Sequence, residues 1–482
     1  MSDTEPTPPT ASASANDDAL ARPGLWRDIT AALRGETQDG TRGPLGRAVL
    51  LLSIPMILEL ALESVFALVD AIFVSRLGSD AVAAVGITES LLTLVYAVAI
   101  GLSAACTAMV ARRTGEHDPE MAARSGMQAV LLALFGAAIT GTIGVLMPAR
   151  LLRMMGASEE VVAIGVPYTT LVIGGSVMVY LLFIINAAFR GAGDAGLAMR
   201  ALWVANLTNI VLDPILIFGL GPIPAFGLTG AGIATVVGRG VGVGLQVFIL
   251  VRGRGALRPR FADVLPDREL LARLLRIAWT GVVQYLLATA SWVVLVRLLS
   301  SFGSSAIAGY TLGLRVLIFL LLPGWGMSNA AATLVGQNLG AGQPERAARA
   351  AWITTGAVMI YFAVAGGAMI LFGPWAMGLL SNDPIAQQVG IDLLRIMGII
   401  FVFDGVAMVM TQALNGAGDT ATPSVLYAIG YWAFQLPLAW LLALQWDFGP
   451  RGVIYAIAAA QILVAAMTAY VFQRGRWKQQ VV

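Results

Sequence analysis

Reactive side chains are scarce in this sequence: one cysteine, one histidine and, among 30 basic residues, a single lysine. Cys106 has no second thiol to pair with, so no intrachain disulfide can form. His117 has no second imidazole or thiol partner from which a conventional metal cluster could be built. Lys478 stands in the C-terminal tail, so no GxxxxGK[ST] loop exists and ATP cannot be bound in that way. Any transport must then draw on a gradient or on another subunit. With no His/Cys cluster, no nucleophile elbow and no lysine placed for catalysis, the chain does not read as an enzyme, and no cofactor is expected. Charge is scarce as well: 12% of residues are charged against 58% hydrophobic, about half the charge of an ordinary soluble domain. A formal net charge of +2 gives no reason to expect a nucleic-acid partner. Residues 1–44 lack a basic-then-apolar leader. Polar and rich in Pro, Ala and Ser, they read as a disordered tail with no signal peptide.

What the chain has in excess is organised into runs. Twelve can be delimited, at 48–74, 83–111, 126–147, 162–188, 198–220, 228–251, 273–300, 307–337, 348–371, 387–414, 423–445 and 451–472. Each is long enough as a helix to cross a hydrocarbon layer of about 30 Å. Barrel strands are excluded, because they would alternate in polarity over about ten residues. The expected fold class is therefore an all-α integral membrane protein. An N-lobe would span 45–251, a linker 252–272, a C-lobe 273–473 and a tail 474–482. With the N-terminus inside, cytoplasmic segments hold 22 basic residues and the opposite side 4, namely Arg76, Arg150, Arg153 and Arg451. The positive-inside rule then puts both termini in the cytoplasm.

A single offset of 225 residues aligns the two halves without a gap from Gly78 to Asp194. It pairs Gly101 with Gly326, Gly115 with Gly340 and Gly165 with Gly390. The run Gly191, Ala192, Gly193, Asp194 recurs as Gly416, Ala417, Gly418, Asp419. An even number of helices per half keeps both copies in one orientation, so the repeats are parallel and related by a pseudo-two-fold axis along the membrane normal. The cleft between them is the expected binding site. Although Gly191 to Gly196 fit GxGxxG, no strand precedes them, so they read as a tight turn and not as a dinucleotide fingerprint.

Residues shared by both halves build the scaffold, and residues that differ are candidates for chemistry. A carboxylate at membrane depth is expensive and usually marks an ion path. Asp70, Asp213 and Asp404 qualify, and the offset places Leu295, Leu438 and Val179 opposite them. Asp70 and Asp213 fall about 6 to 10 Å below the surface opposite the termini, at 1.5 Å per residue. Asn209 shares the helix face of Asp213, and Thr235 enters at a similar level. Two carboxylates, an amide and a hydroxyl thus converge, able to take a proton or to coordinate Na⁺. Pro214, next to Asp213, suggests a local break in the fifth helix. The competing reading is structural glue, with Arg239 as a salt-bridge partner for the pair. Asp404 is either a second cation site or a partner of Arg297 or Arg315. Glu59 and Glu63 share a broad face with Asp70. Because Glu59 has Gln284 opposite it, it reads as polar packing, which leaves Glu63 as a further coupling or substrate residue.

Five segments in this order carry a family resemblance: Asp70 to Gly86; Phe189 to Asp194; Asn209 to Pro214; Leu334 to Gly340; and Leu414 to Thr420. Over residues 44 to 474 the chain resembles the multidrug and toxic compound extrusion (MATE) family of secondary transporters, and within it the DinF-like prokaryotic branch. The resemblance implies twelve helices in two lobes and export of amphipathic, often cationic drugs against inward H⁺ or Na⁺. It further implies a cation site at the positions of Asp70, Asn209, Asp213 and Thr235, where Na⁺ would be the only metal, with Asn186 matching a further family asparagine. Asp404 resembles the aspartate of the NorM-like branch. The glutamate that accompanies it there is missing between Gly281 and Trp292, which favours the N-lobe. The expected setting is a monomer among the lipids of a bacterial cytoplasmic (inner) membrane. The alternative is a flippase for lipid-linked oligosaccharide or peptidoglycan precursors from the same superfamily, which would want a basic cleft for pyrophosphate.

Overall fold

The computed structural model describes residues 24–36, 38–253 and 255–480. Residues 1–23 of the expected tail lie outside the described residues. Twelve helices are long and apolar enough to span a bilayer: α1 (Leu45–Ser75), α2 (Ser79–Gly115), α3 (Pro119–Leu146), α4 (Glu159–Gly191), α5 (Ala195–Phe218), α6 (Leu228–Val251), α7 (Arg268–Phe302), α8 (Ser304–Gly340), α9 (Pro344–Leu380), α10 (Pro384–Gly416), α11 (Ala421–Gln445) and α12 (Pro450–Gln473). No strand occurs among the described residues beyond the isolated bridge Leu220–Ile223. Hydrocarbon offers the backbone no hydrogen bonds, so each segment must satisfy its own. Many helices outrun the apolar runs, because polar capping residues start them outside the hydrocarbon. Asp118, Asp267 and Asp383 each accept a backbone N–H in the first turn of α3, α7 and α10.

Two helices depart from the expected pattern. Pro214 does not break α5, which runs as continuous α-helix from Ala195 to Phe218. A proline removes one N–H and frees one carbonyl a turn earlier, and packing against a neighbouring helix can hold the turn together. In α11 the ladder widens to π-helix over Ala428–Gln435 and Leu441–Gln445.

The pseudo-two-fold is visible in matched close approaches across the interface. A Cβ on Gly115 would lie 1.9 Å from the Gln337 carbonyl oxygen, and one on Gly340 would lie 2.0 Å from that of Arg112. Nearer mid-membrane, a Cβ on Gly101 would lie 2.7 Å from the Val282 nitrogen and one on Gly326 2.9 Å from the Ile57 nitrogen. Each contact maps onto its twin by the 225-residue offset. Only glycine lets backbones meet this closely.

The halves meet on one side only. Among the described residues, the hydrophobic clusters that mix the halves consist of Val49, Leu52, Met56 and Ala195 with Ala330, Leu334 and Ala350, and of N-half residues with Leu270, Leu274, Ile277 and Ala278. All the C-half members lie toward the face that carries the termini, whereas the large C-half core from Leu295 to Ala458 has no N-half member. Cross-half hydrogen bonds follow suit: Thr333 Oγ1 donates to Arg190 O at 3.2 Å, Gln337 Nε2 to Gly191 O at 3.1 Å, and Arg112 Nη2 to Gln480 O at 2.8 Å. This conformer is closed on the termini face.

The described part of the N-terminal segment is ordered, contrary to the expectation for residues 1–44. Leu25–Leu33 form an amphipathic helix, and Asp28 pairs with Arg47. Residues 38–43 then cross the seam. Gln38 N donates to Gly193 O at 3.2 Å, Gly40 N to Gln337 Oε1 at 3.2 Å, Asn338 Nδ2 to Gly40 O at 3.1 Å, and Arg346 Nη2 to Gly43 O at 2.8 Å. Composition read this stretch as polar and disordered. Its order comes from backbone groups meeting amides on both halves, a signal that composition does not carry.

Gly340→Ala should wedge the seam apart. Overpacking of this kind costs about 1 to 3 kcal/mol, so the closed population should fall roughly 5- to 150-fold relative to the alternative. Spin labels at His117 and Gln343 should report a longer distance; an unchanged distribution would contradict the glycine argument.

Candidate functional site: a carboxylate pair in the N-terminal half

The described residues hold few carboxylates that are both deep and unpaired. Asn206, Asn209 and Asp213 occupy successive turns of α5 and point to one side of it. Asp213 is fully buried, and neither of its carboxylate oxygens has a hydrogen-bond partner. The Asn209 carbonyl oxygen is likewise buried and unpartnered. Asn209 Nδ2 donates one of its two hydrogens to Thr235 Oγ1 at 3.3 Å, and the Thr235 hydroxyl donates to Ala231 O at 2.9 Å, so neither of these bonds reaches Asp213. A Cβ on Gly238 would sit 2.9 Å from Asn209 Cβ. That glycine is what lets α6 bring Thr235 to this level. Asp70, half-buried on α1, lies within electrostatic reach of Asp213. Glu89 of α2 and Tyr168 of α4 also feel the Asp70 charge.

An ionised carboxylate only accepts hydrogen bonds. Three orphaned oxygens facing a second carboxylate therefore form a donor set that wants a proton or a hard cation. No group of three or more His, Cys, Asp or Glu residues that could hold a metal ion occurs among the described residues, so a cation here would draw on the amide and hydroxyl oxygens as well. The all-oxygen set fits H⁺ or Na⁺. Arg239, the salt-bridge partner in the competing reading, lies within electrostatic reach of Asp70 but makes no ion pair with it among the described residues. Neither Asp70 nor Asp213 enters an ion pair among the described residues, and Arg239 donates to Tyr96 Oη at 3.0 Å.

The other candidates fall elsewhere. Asn186 joins a separate cluster: its Nδ2 donates to Glu59 Oε1 at 3.2 Å and its Oδ1 accepts from Gln246 Nε2 at 2.7 Å. Glu59 is buried and paired with Arg190 at 2.9 Å. Glu63 accepts from Asn206 Nδ2 at 2.8 Å, one α5 turn from Asn209. Asp404, 5% exposed, forms no ion pair with Arg297 or Arg315 among the described residues; its nearest charge-sensitive neighbours are Tyr427 and Tyr431. Sequence reasoning missed Asn206 and Arg190. Asn206 could have been found from its i, i+3 spacing to Asn209. Arg190 could have been found from the repeat, since the offset places Asn415 opposite it while the adjoining Gly191 to Asp194 recur in both halves.

Two parallel six-helix halves, joined at one face and carrying unpaired carboxylates at membrane depth, define a multi-pass membrane transporter and not an enzyme. The family model MatE matches this chain twice, over residues 55–215 and 281–441, one copy in each half. The chain belongs to the MatE family. Among its relatives is the probable multidrug resistance protein NorM of Thermotoga maritima, 25% identical over 434 residues, covering 89% of this chain and 93% of that protein. Another is the FAD transporter of Shewanella oneidensis, 26% identical over 431 residues, covering 89% and 95%. Among solved structures, an outward-facing conformation of a multidrug resistance MATE family transporter of the MOP superfamily superposes with a TM-score of 0.85. It is 25% identical, covering 92% of this chain and all of that one.

Because a bound cation would satisfy the oxygens of Asp213, saturating Na⁺ or H⁺ should stabilise the wild type by about 2.7 kcal/mol at a hundredfold excess over Kd. Asp213→Asn should abolish this ligand-dependent rise in Tm. A wild-type rise in the Asp213→Asn protein, followed by thermal unfolding in detergent, would remove Asp213 from the site.

Proposed function

We propose that this chain is a cation-coupled multidrug exporter of the bacterial inner membrane, acting as a monomer with both termini in the cytoplasm. Inward movement of H⁺ or Na⁺ drives antiport of amphipathic or cationic organic compounds. The observation that carries this reading is Asp213: a fully buried carboxylate with no partner, facing a second acid across the N-half. Such a group is too costly to keep for packing alone. The printed functions of the multidrug resistance relatives favour drugs as cargo. The unpaired acids lining this half favour cationic ones. Glu63, Asn186 and Asp404 are assigned as accessory, with Glu63 the nearest along α1.

With the termini face closed, the conformer corresponds to an outward-open state in this orientation. Cation entry at Asp70, Asn209, Asp213 and Thr235 and drug occupancy of the cleft then compete for one conformational equilibrium. A single positive charge moving inward yields about 2.3 kcal/mol per 100 mV, so one or two ions support a sizeable drug gradient.

Proteoliposomes with pH and Na⁺ gradients imposed separately should show drug uptake or release only with the coupling ion, and substrate should in turn move that ion. Asp70→Asn and Asp213→Asn should each reduce coupled transport at least 100-fold while the protein stays monodisperse. Wild-type coupling in the double variant would refute the assignment, and translocation of headgroup-labelled lipid without drug movement would instead favour a flippase.

A further inference from the structure

The internal repeat supplies a control for each polar residue in the N-half, and one cluster fails it. Glu59 on α1 and Arg190 at the end of α4 form an ion pair whose side chains are only 7% and 16% exposed. Asn186 donates to the same carboxylate, and Gln246 of α6 in turn donates to Asn186. The 225-residue offset places Gln284, Asn415 and Thr411 at the positions of Glu59, Arg190 and Asn186. That offset is the one the matched glycine contacts obey. In the C-half the same three places are therefore held by neutral groups. Gln284 Oε1, Thr411 Oγ1 and Asn415 Oδ1 are buried there, with Tyr427 interacting with Gln284 and Thr411 and with Asn415 Nδ2 donating to Gln412 Oε1 at 2.9 Å. The packing of a half does not demand an ion pair at this spot, and a buried pair is not a cheap way to gain stability.

What sets the pair apart is where its two ends lead. On one side is α1, which carries Glu63 one turn on and Asp70 eleven residues on, roughly 16 Å along the axis. Glu63 is held by Asn206 of α5, the helix that carries Asn209 and Asp213. On the other side is the last turn of α4. There the carbonyls of Arg190 and Gly191 accept the bonds from Thr333 and Gln337 of α8 that close the termini face. The Arg190 residue thus grips α1 with its side chain and the opposite half with its main chain.

We propose that Glu59 and Arg190 are positioning residues for transport: their ion pair ties α1 to the α4 turn on which the C-half closes, so that cation occupancy at Asp70 and Asp213 is transmitted to the seam. This rests on the reading of Asp70 and Asp213 as the cation site. A charged, hydrogen-bonded pair holds one geometry more firmly than two amides do. The C-half, which has no acid opposite Asp70 or Asp213 to serve, makes do with amides.

The test replaces the N-half pair by what the C-half uses, Glu59→Gln with Arg190→Asn. The protein should fold and remain monodisperse, and should retain the cation-dependent rise in Tm. Spin labels at His117 and Gln343 should show that the cation no longer moves the closed-to-open ratio of the termini face, with the shift at least 10-fold smaller than in wild type. The swapped pair, Glu59→Arg with Arg190→Glu, should recover part of the shift. A wild-type shift in the Gln/Asn variant overturns the proposal. So does its failure to fold, because the pair would then be a packing requirement. If wild type itself shows no cation-dependent shift, or Asp70→Asn with Asp213→Asn leaves the shift intact, it is the cation-site reading that fails instead.

Discussion

Hydrocarbon gives a polar group nothing to bond to, and this deprivation sorts every such group in the molecule. Most threonines and serines in the helices solve the problem locally. The hydroxyls of Thr88, Thr354, Thr355, Thr468 and Ser328 each donate to the carbonyl four residues back. Glu59 and Glu63 solve it with neighbours on α4 and α5. Asp213 does not solve it at all. Neutral oxygens such as those of Ser53, Gln246 and Gln435 are also left without a partner, but Asp213 is the one carboxylate among these buried atoms, and a bare carboxylate is the costliest of them to bury.

The same absence of water shapes how the halves meet. Between helices in lipid there is little hydrophobic drive, so association relies on close packing and on hydrogen bonds across the interface. The matched glycine contacts at Gly115 and Gly340 and the amides of Gln337 and Asn338 provide both at the termini face. Neither kind of contact is made between the halves near Asp70. A joint of this type opens as a unit, because contacts packed at van der Waals distance do not stretch gradually.

The spans were legible because an apolar run of about 20 residues admits one structure in a bilayer, and the structure shifts most of their ends by a few residues, the start of α3 and the end of α9 extending furthest, to Pro119 and Leu380. Gly101, Gly115 and Gly191 with their twins announced the two-fold for a similar reason: the backbone contacts they make leave no room for a side chain. Asp70, Asp213, Asn209 and Thr235 stand out in the sequence as polar exceptions at one depth; the structure joins Asn209 to Thr235 by a hydrogen bond, with Asp213 one turn along α5 and within electrostatic reach of Asp70. Other features were hidden for specific causes. The order of residues 38–43 depends on amides 300 residues away, beyond any local pattern. Pro214 was misread because the loss of one ladder bond is tolerated when the helix is buried among others. Asn186 lies near the end of α4 on the termini side, in a cluster with Glu59 and Gln246, at a different depth from Asp213 and Asn209.

The asymmetry between two copies of one fold finally bears on how a gradient can do work here. A cation moves the equilibrium only by the difference in its affinity for the two conformers. A difference requires that the site change shape when the seam opens. Asp70 rides on α1, whereas Asn209 and Asp213 ride on α5 and Thr235 on α6. Any motion that slides α1 against α5 and α6 changes the spacing of the two acids, and with it their repulsion and their grip on a shared ion. The C-half has apolar residues at the positions opposite Asp70 and Asp213, so the same motion there would change nothing electrostatic at those places. On the proposed reading, one half senses the ion while the other supplies the surface against which it closes, a division of labour that two identical copies could not achieve.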